Sequence, residues 1–188
     1  PARGQISLIV AVPRPQTIKK IVQFASTVGL AQLHFIKTAN VEKSYLQSKS
    51  LSVESLQFEI VKGLEQSYDS VPPLIQIHRS YSRFINVSLP ELLTANPLRG
   101  GFILDTAIDG DSQRIDLQRA ALTYLAVGPE SGWLKEEVDD FVRLGFRRLS
   151  LGERILRVEH AVISAVSRIE YVRDGNSGSK PLHRVKIK

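Results

Sequence analysis

Short apolar runs suited to strands alternate along the chain with longer amphipathic stretches suited to helices, and no other property limits the fold as much. Consecutive strands separated by helices pair in parallel, so the pattern implies an α/β domain with a largely parallel sheet. Ile6 to Val12 reads as the first strand, and Ile18, Ile21, Val22, Ala25 and Val28 then recur at helical spacing before Gly29, placed for a left-handed C-terminal cap. Gln32 to Lys37 is a second strand, and Ser52 caps a helix running to about Ser67. Pro72 and Pro73 reset the chain before the strand Leu74 to His78. A weaker helix is expected from Ser88 to Ala95, and a short strand from Phe102 to Leu104. Leu122 to Val127 is strongly apolar and stops at Gly128-Pro129, because a central strand cannot continue through proline. Leu134, Val138, Phe141 and Val142 mark a helix that closes at Gly145, followed by the strand Arg147 to Leu151. Val158, Ala161, Val162, Ala165, Val166 and Ile169 share one face of the last helix. Periodicity is lost from Asp174, so residues 1–173 are read as one domain and 174–188 as a flexible basic tail.

A chain of 188 residues is long enough to bury a core without disulfides or a structural metal. It has no cysteine, which removes thiolate zinc sites, iron–sulfur clusters and a cysteine nucleophile, and fits a reducing compartment such as the cytoplasm. No membrane partner is expected, since the run from Ile6 to Val12 is too short to span a bilayer and lacks the flank of a secretory signal. A net charge of +6 favours a polyanionic partner if the cations share a face. Arg143, Arg147, Arg148, Arg154 and Arg157 form the densest basic group, just after the acidic Glu136, Glu137, Asp139 and Asp140. His34, His78, His160 and His183 show no ligand spacing, so no metal site is expected.

Two glycine-bearing loops follow short strands late in the chain: Val127-Gly128-Pro129-Glu130-Ser131-Gly132 and Leu151-Gly152-Glu153-Arg154-Ile155-Leu156. Loops after parallel strands are where α/β proteins bind ligands. Neither has the residues of a Rossmann fingerprint or a P-loop.

The string Gly128-Pro129-Glu130-Ser131-Gly132-Trp133, then an acidic helix, then Leu149-Ser150-Leu151-Gly152-Glu153-Arg154-Ile155-Leu156-Arg157-Val158-Glu159 resembles, in order and spacing, the Gly-Pro-Glu-Gly-Gly and Leu-Gly-x-x-Ile-Leu-Arg-x-Glu-Thr-Ala signatures of the RsmE family of SPOUT methyltransferases. Thr27-Val28-Gly29 and Glu65-Gln66-Ser67 with Val71-Pro72 resemble that family more loosely, so the likeness runs from about Ile6 to Tyr171. It implies a SPOUT-type fold with a C-terminal deep trefoil knot, a homodimer, S-adenosylmethionine as cofactor, and N3 of a uridine in small-subunit ribosomal RNA as target. Carried onto this sequence, the cofactor pocket comprises Leu104, Asp105 and Thr106; Val127, Gly128 and Pro129; and Leu149, Ser150, Leu151, Gly152, Ile155 and Leu156. The last helix, with its wide apolar face, is the expected dimer contact. The other readings are a SPOUT enzyme with another RNA target, and a non-catalytic RNA- or nucleotide-binding protein.

A uridine imide loses its proton as the methyl arrives, so a cation near the base oxygens and a proton acceptor are required. Arg157 and Glu130 are the candidates. The competing reading of Arg157 is a salt bridge at the helix start with Glu159 or Glu130, and that of Glu130 is a brace for its loop. Trp133 is read as a packing anchor, the competing reading being a ring that stacks on RNA or cofactor. Ser131 replaces a family glycine, Leu134 a capping Ser or Thr, His160 a threonine, and Tyr68-Asp69 falls where an arginine is usual. The family usually begins with a small β-barrel RNA-binding domain, and the match here begins at the methyltransferase domain.

Overall fold

A computed structural model describes residues 5–97, 99–106, 115, 117 and 122–176. Its elements are β1 (Ile6–Ala11), α1 (Pro15–Thr27), β2 (Gln32–Ile36), α2 (Lys43–Leu46), α3 (Val53–Ser67), β3 (Leu74–His78), α4 (Tyr81–Arg83), α5 (Leu89–Ala95), β4 (Arg99–Leu104), β5 (Leu122–Val127), α6 (Lys135–Arg143), β6 (Arg147–Leu149) and α7 (Val158–Asn176). The strands form one sheet in the order β3-β2-β1-β5-β4-β6, with every neighbouring pair parallel. All carboxyl ends therefore open on one side of the sheet.

β1 lies inside the sheet, and all six of its residues are buried. A strand covered on both faces reads as continuous apolar sequence, which is the pattern of Ile6 to Ala11. On one face α1 packs against α3 and α7. The approach of α1 and α3 is close because Gly63 has no side chain: a Cβ there would lie 2.5 Å from the Gln23 carbonyl oxygen and 2.6 Å from Ser26 Cβ. The other face carries α4, α5 and α6, joined where Tyr81 Oη donates to Asp140 Oδ2 at 3.2 Å. Burial, reinforced by Asp140, pushes the Tyr81 hydroxyl well above its ordinary pKa.

Strand ends differ from the sequence reading where a polar group captures the backbone. β6 stops at Leu149, two residues short of Leu151, because the Ser150 carbonyl accepts from Arg168 Nη1 at 2.9 Å and the Ser150 hydroxyl accepts the Gly152 N–H at 3.1 Å. β4 begins at Arg99 rather than Phe102, and its two glycines hid it. Gly101 lies under the Phe146 ring, where a Cβ would sit 3.1 Å from Cγ. The helix expected from Ser88 starts at Tyr81 and runs through a π turn at Phe84–Ser88. Pro90 has no N–H to give to the preceding turn, and a π turn just before it absorbs that loss.

The last helix reaches Asn176, so residues 174–176 are helical rather than tail. Arg173 holds this final turn by donating to the Gln5 carbonyl at 3.1 Å and to Thr123 Oγ1 at 2.8 Å. Residues 177–188 of the expected basic tail lie outside the described residues. So does His183. Between β4 and β5, only Ile115 and Leu117 of residues 107–121 are described.

The histidines hold a surprise. Across β2 and β3, His34 Nδ1 lies 3.2 Å from His78 Nε2, while His34 Nε2 meets Gln32 Oε1 at 3.1 Å and Ser7 Oγ donates to the same oxygen at 3.0 Å. Burial and the neighbouring His78 push the His34 pKa down to about 4, and burial lowers that of His78. Strand pairing creates this contact between residues that show no ligand spacing in sequence. Among the described residues no group of three or more His, Cys, Asp or Glu is placed to hold a metal ion.

Candidate active site

The carboxyl ends of β4, β5 and β6 and the loops that follow them enclose a cavity of about 510 Å³. That volume suits a drug-sized or cofactor-sized ligand. All twelve residues of the expected cofactor pocket line it, together with Glu130 and Arg157.

Each wall has a local cause. After β5, Pro129 ends the strand, and its carbonyl accepts the Gly132 N–H at 2.8 Å in a tight turn. Gly132 takes φ +77°, whereas Ser131 is not among the residues with positive φ, so the serine strains no backbone in this loop. Trp133 then folds back over Gly128, where a Cβ would lie 3.1 Å from the indole nitrogen, and its ring centre is 5.3 Å from that of Phe141. Trp133 is thus a packing anchor, yet its Nε1 is buried without a hydrogen-bond partner among the described residues. Leu134 offers no side-chain cap to α6; Glu137 supplies half of a capping box instead, accepting the Leu134 N–H at 2.9 Å. Its other oxygen accepts the Ala39 N–H at 2.9 Å, fastening the loop after β2 to the same wall.

On the β4 side, the Asp105 N–H donates to the Leu149 carbonyl at 3.1 Å, and the Asp105 carboxylate accepts from Arg148 Nε at 2.8 Å. After β6, Gly152 adopts φ +112°, a conformation L side chains rarely take. A Cβ at Gly152 would meet nothing within 4 Å, so this glycine answers to backbone geometry and not to crowding of the cavity. Ile155 is 89% exposed and Leu156 39%, unusual for large apolar residues beside a cavity.

The candidate catalytic residues separate. Glu130 accepts the Arg14 N–H at 3.1 Å, so it braces its loop against the start of α1. Arg157 lines the cavity, is exposed, and forms no ion pair among the described residues. Glu159, one of its expected partners, pairs instead with Lys20 at 3.0 Å. That contact, with help from the residue's own backbone N–H, holds the Glu159 carboxyl below the usual range. The five clustered arginines do not act as one basic face. Arg143 pairs with Asp140 at 2.7 Å, Arg148 with Asp105, and Arg147 stacks 4.8 Å over the Phe102 ring, leaving Arg154 and Arg157 on the cavity.

A family model for an RNA methyltransferase domain matches residues 1–170. The chain belongs to this RNA methyltransferase domain family. It is similar to the ribosomal RNA small subunit methyltransferase E of Treponema pallidum, with 31% identity over 164 residues, 85% of this chain and 59% of that protein. Its fold is similar to that of the ribosomal RNA small subunit methyltransferase E from Neisseria gonorrhoeae bound to S-adenosyl methionine (TM-score 0.71, 19% identity, 89% of this chain and 66% of that one). A probable rRNA-methyltransferase from Porphyromonas gingivalis is alike in fold (TM-score 0.70, 19% identity, 93% and 70%). The chain thus spans about three fifths of the length of the Treponema relative.

In this RNA methyltransferase domain the sequence reading missed several residues. Ser131, Gly132, Val158 and Ala161 also line the cavity, as do Arg154, inside the expected loop from Leu149 to Leu156, and Trp133. For Ser131 and Gly132 the signal was their place in the first glycine loop. For the Glu137 contact to Ala39 there was none, because the two lie 98 residues apart. No helix among the described residues is long and apolar enough to cross a membrane.

Proposed function

We propose that the chain is the catalytic part of an S-adenosylmethionine-dependent methyltransferase that acts in the cytoplasm on N3 of a uridine in small-subunit ribosomal RNA. The observation that carries this reading is the cavity in which the three late loops meet, with an arginine at its rim that forms no ion pair among the described residues. The residues fit the cofactor. Leu151, Ile155 and Leu156 supply apolar surface for its adenine and methionine chain, loop backbone groups are at hand for its polar atoms, and the buried Trp133 Nε1 is a donor without an acceptor. Apolar walls with a few fixed polar and charged groups suit such a ligand.

S-adenosylmethionine, when bound, supplies an electrophilic methyl group. Arg157 stabilises the negative charge on the uridine oxygens as the imide proton leaves, because a fixed cation beside a developing anion lowers the barrier most. Glu130 commits one oxygen to the Arg14 N–H and keeps the other for the departing proton. The Lys20–Glu159 pair anchors the start of α7 and so fixes where Arg157 stands.

The same reading includes the trefoil knot and a homodimer. The apolar face of α7 named from sequence is buried within the chain through Val158, Val162, Ala165, Val166 and Ile169 and is not available to a partner. The outward side carries Ile163 (42% exposed) and Tyr171 (74%), and with Ile155 these make the surface for a second copy.

Isothermal calorimetry with S-adenosylmethionine, followed by methyl transfer to small-subunit ribosomal RNA and mass spectrometry of its nucleosides, tests the proposal. Micromolar or tighter cofactor affinity and N3-methyluridine are expected. Absence of cofactor binding overturns the methyltransferase reading, and a different methylated nucleoside overturns the target. Sedimentation should give about 42 kDa, twice the 21.0 kDa chain.

A further inference from the structure

A second feature lies beside the cavity, on the part of the sheet edge that methyl transfer does not use. The segments after β1, β2 and β3 bring Arg14, Lys37, Lys43 and Arg79 to the same carboxyl-end side as the cavity. We propose that this ledge holds the single-stranded RNA flanking the nucleotide in the cavity, a proposal that rests on the RNA-methyltransferase reading above.

Three observations carry it. First, the ledge is fastened to the cavity wall. Glu130 of the wall accepts the Arg14 N–H at 3.1 Å, and Glu137, which fixes the same loop at Leu134, accepts the Ala39 N–H at 2.9 Å. A strand of RNA crossing from cavity to ledge therefore meets one rigid surface.

Second, the cations there are not neutralised. Among the described residues none of Arg14, Lys37, Lys43 and Arg79 forms an ion pair, whereas Arg143 and Arg148, farther along the chain, are paired with Asp140 and Asp105. Arg79 uses one guanidinium nitrogen on the Leu46 carbonyl at 3.1 Å, which steadies the side chain and leaves its charge intact. One carboxylate, Glu42, stands among these four cations, and it accepts from the Tyr45 hydroxyl at 2.9 Å and the Ser44 hydroxyl at 3.4 Å. At the opposite, amino-terminal edge Arg99 donates to the Asn96 carbonyl at 3.4 Å, and Arg173 is held by Gln5 and Thr123.

Third, the ledge offers an aromatic ring. The half-buried Tyr45 is held by Glu42 and lies beside the Arg14 guanidinium. Cations that follow a backbone together with a fixed ring on which a base stacks are the working parts of single-strand binding surfaces. Neighbouring strands lie about 4.8 Å apart, so three of them spread the cations over roughly 10 Å, along a strand and not at a point.

The test measures the intact chain against a short fluorescent oligouridine and against small-subunit ribosomal RNA over a salt series. The double variant Arg14→Ala/Lys43→Ala is expected to bind both at least 10-fold more weakly. Its salt slope should be shallower by about 1.4, since each single-strand phosphate contact contributes about 0.7. Lys37→Gln, at a separate place on the ledge, should shift the slope by about 0.7. S-adenosylmethionine affinity should be unchanged in both, and Arg99→Ala at the opposite edge should leave RNA binding as it is. If wild type binds and methylates RNA while both ledge variants keep its affinity and slope, the ledge is overturned and the enzyme reading stands. A wild-type chain that binds S-adenosylmethionine but neither RNA overturns both.

Discussion

The two halves of the sheet handle their loops differently. Around β1, β2 and β3, helices meet closely, Gly63 admits no further atom, and a partly buried chain of Ser7, Gln32, His34 and His78 is joined by its own hydrogen bonds. Around β4, β5 and β6, the loops leave Ile155 bare, Gly152 in open space and, among the described residues, Arg157 without an ion pair and the Trp133 N–H without an acceptor. The interior of the first half is complete by itself, and the cavity of the second is finished only by something it binds. Changes in the interior of the first half should therefore appear as lost stability, and changes around the cavity as lost binding or rate.

Gly63→Val is the severest break of that contrast. Its Cβ would sit 2.5 Å from a backbone oxygen, which α1 cannot move without leaving the sheet. A cost above about 3 kcal/mol is expected, enough to prevent soluble expression or to drop the melting temperature by ten degrees or more. A protein that melts like wild type would show that α1 and α3 do not approach as described.

Arg157→Ala should do the reverse. With no ion pair to lose among the described residues, the melting temperature and cofactor affinity should stay near wild type while the single-turnover methyl-transfer rate falls by about two to three orders of magnitude. Lysine should recover only part, because it keeps the charge without the planar fork. Parallel loss of stability and affinity would place Arg157 in the scaffold.

The histidine pair sharpens the comparison through pH. The pKa of His34 is lowered in the folded state from 6.5 to about 4, and that of His78 is lowered too. A depressed folded pKa means that the neutral form is favoured by folding, so the stabilisation is fully present above pH 6.5 and is lost as pH falls from there toward 4. The melting temperature should drop by several degrees between pH 7 and pH 5, and His34→Gln should flatten that slope. An unchanged slope in the variant would assign the acid sensitivity elsewhere.

Ile155→Ser should have the smallest effect on the free protein, within about 0.5 kcal/mol in stability, since the side chain is 89% exposed. S-adenosylmethionine affinity should nevertheless weaken several-fold by calorimetry. An unaltered affinity would remove Ile155 from the cofactor wall.

The sequence showed most clearly what local chemistry decides. Leu122–Val127 was bounded correctly because Gly128-Pro129 cannot prolong a strand, and Leu74–His78 because Pro72 and Pro73 precede it. The cavity lining was legible because its residues sit in two contiguous loops next to their strands, and the family likeness supplied the third segment at Leu104 to Thr106. Contacts made by the sheet stayed hidden. Nothing in the spacing of His34 and His78, 44 residues apart, shows that β2 and β3 will lay one ring against the other. The π turn before Pro90 was missed for a different reason: proline normally ends a helix, and the widened turn that rescues it carries no composition of its own.

The order of strands also bears on how a ribosome delivers this chain. β1 emerges first, but its partner on one side, β5, follows roughly 110 residues later, while β2 and β3 arrive early. At about 5–20 residues per second, the nascent chain carries a long apolar strand with one unpaired edge for several seconds or more. An open edge of that kind is a template for pairing with another chain. Newly made copies on the same polysome are the nearest neighbours, so high-level expression should favour aggregation before β5 appears, and slower translation or a holdase chaperone should raise the soluble yield.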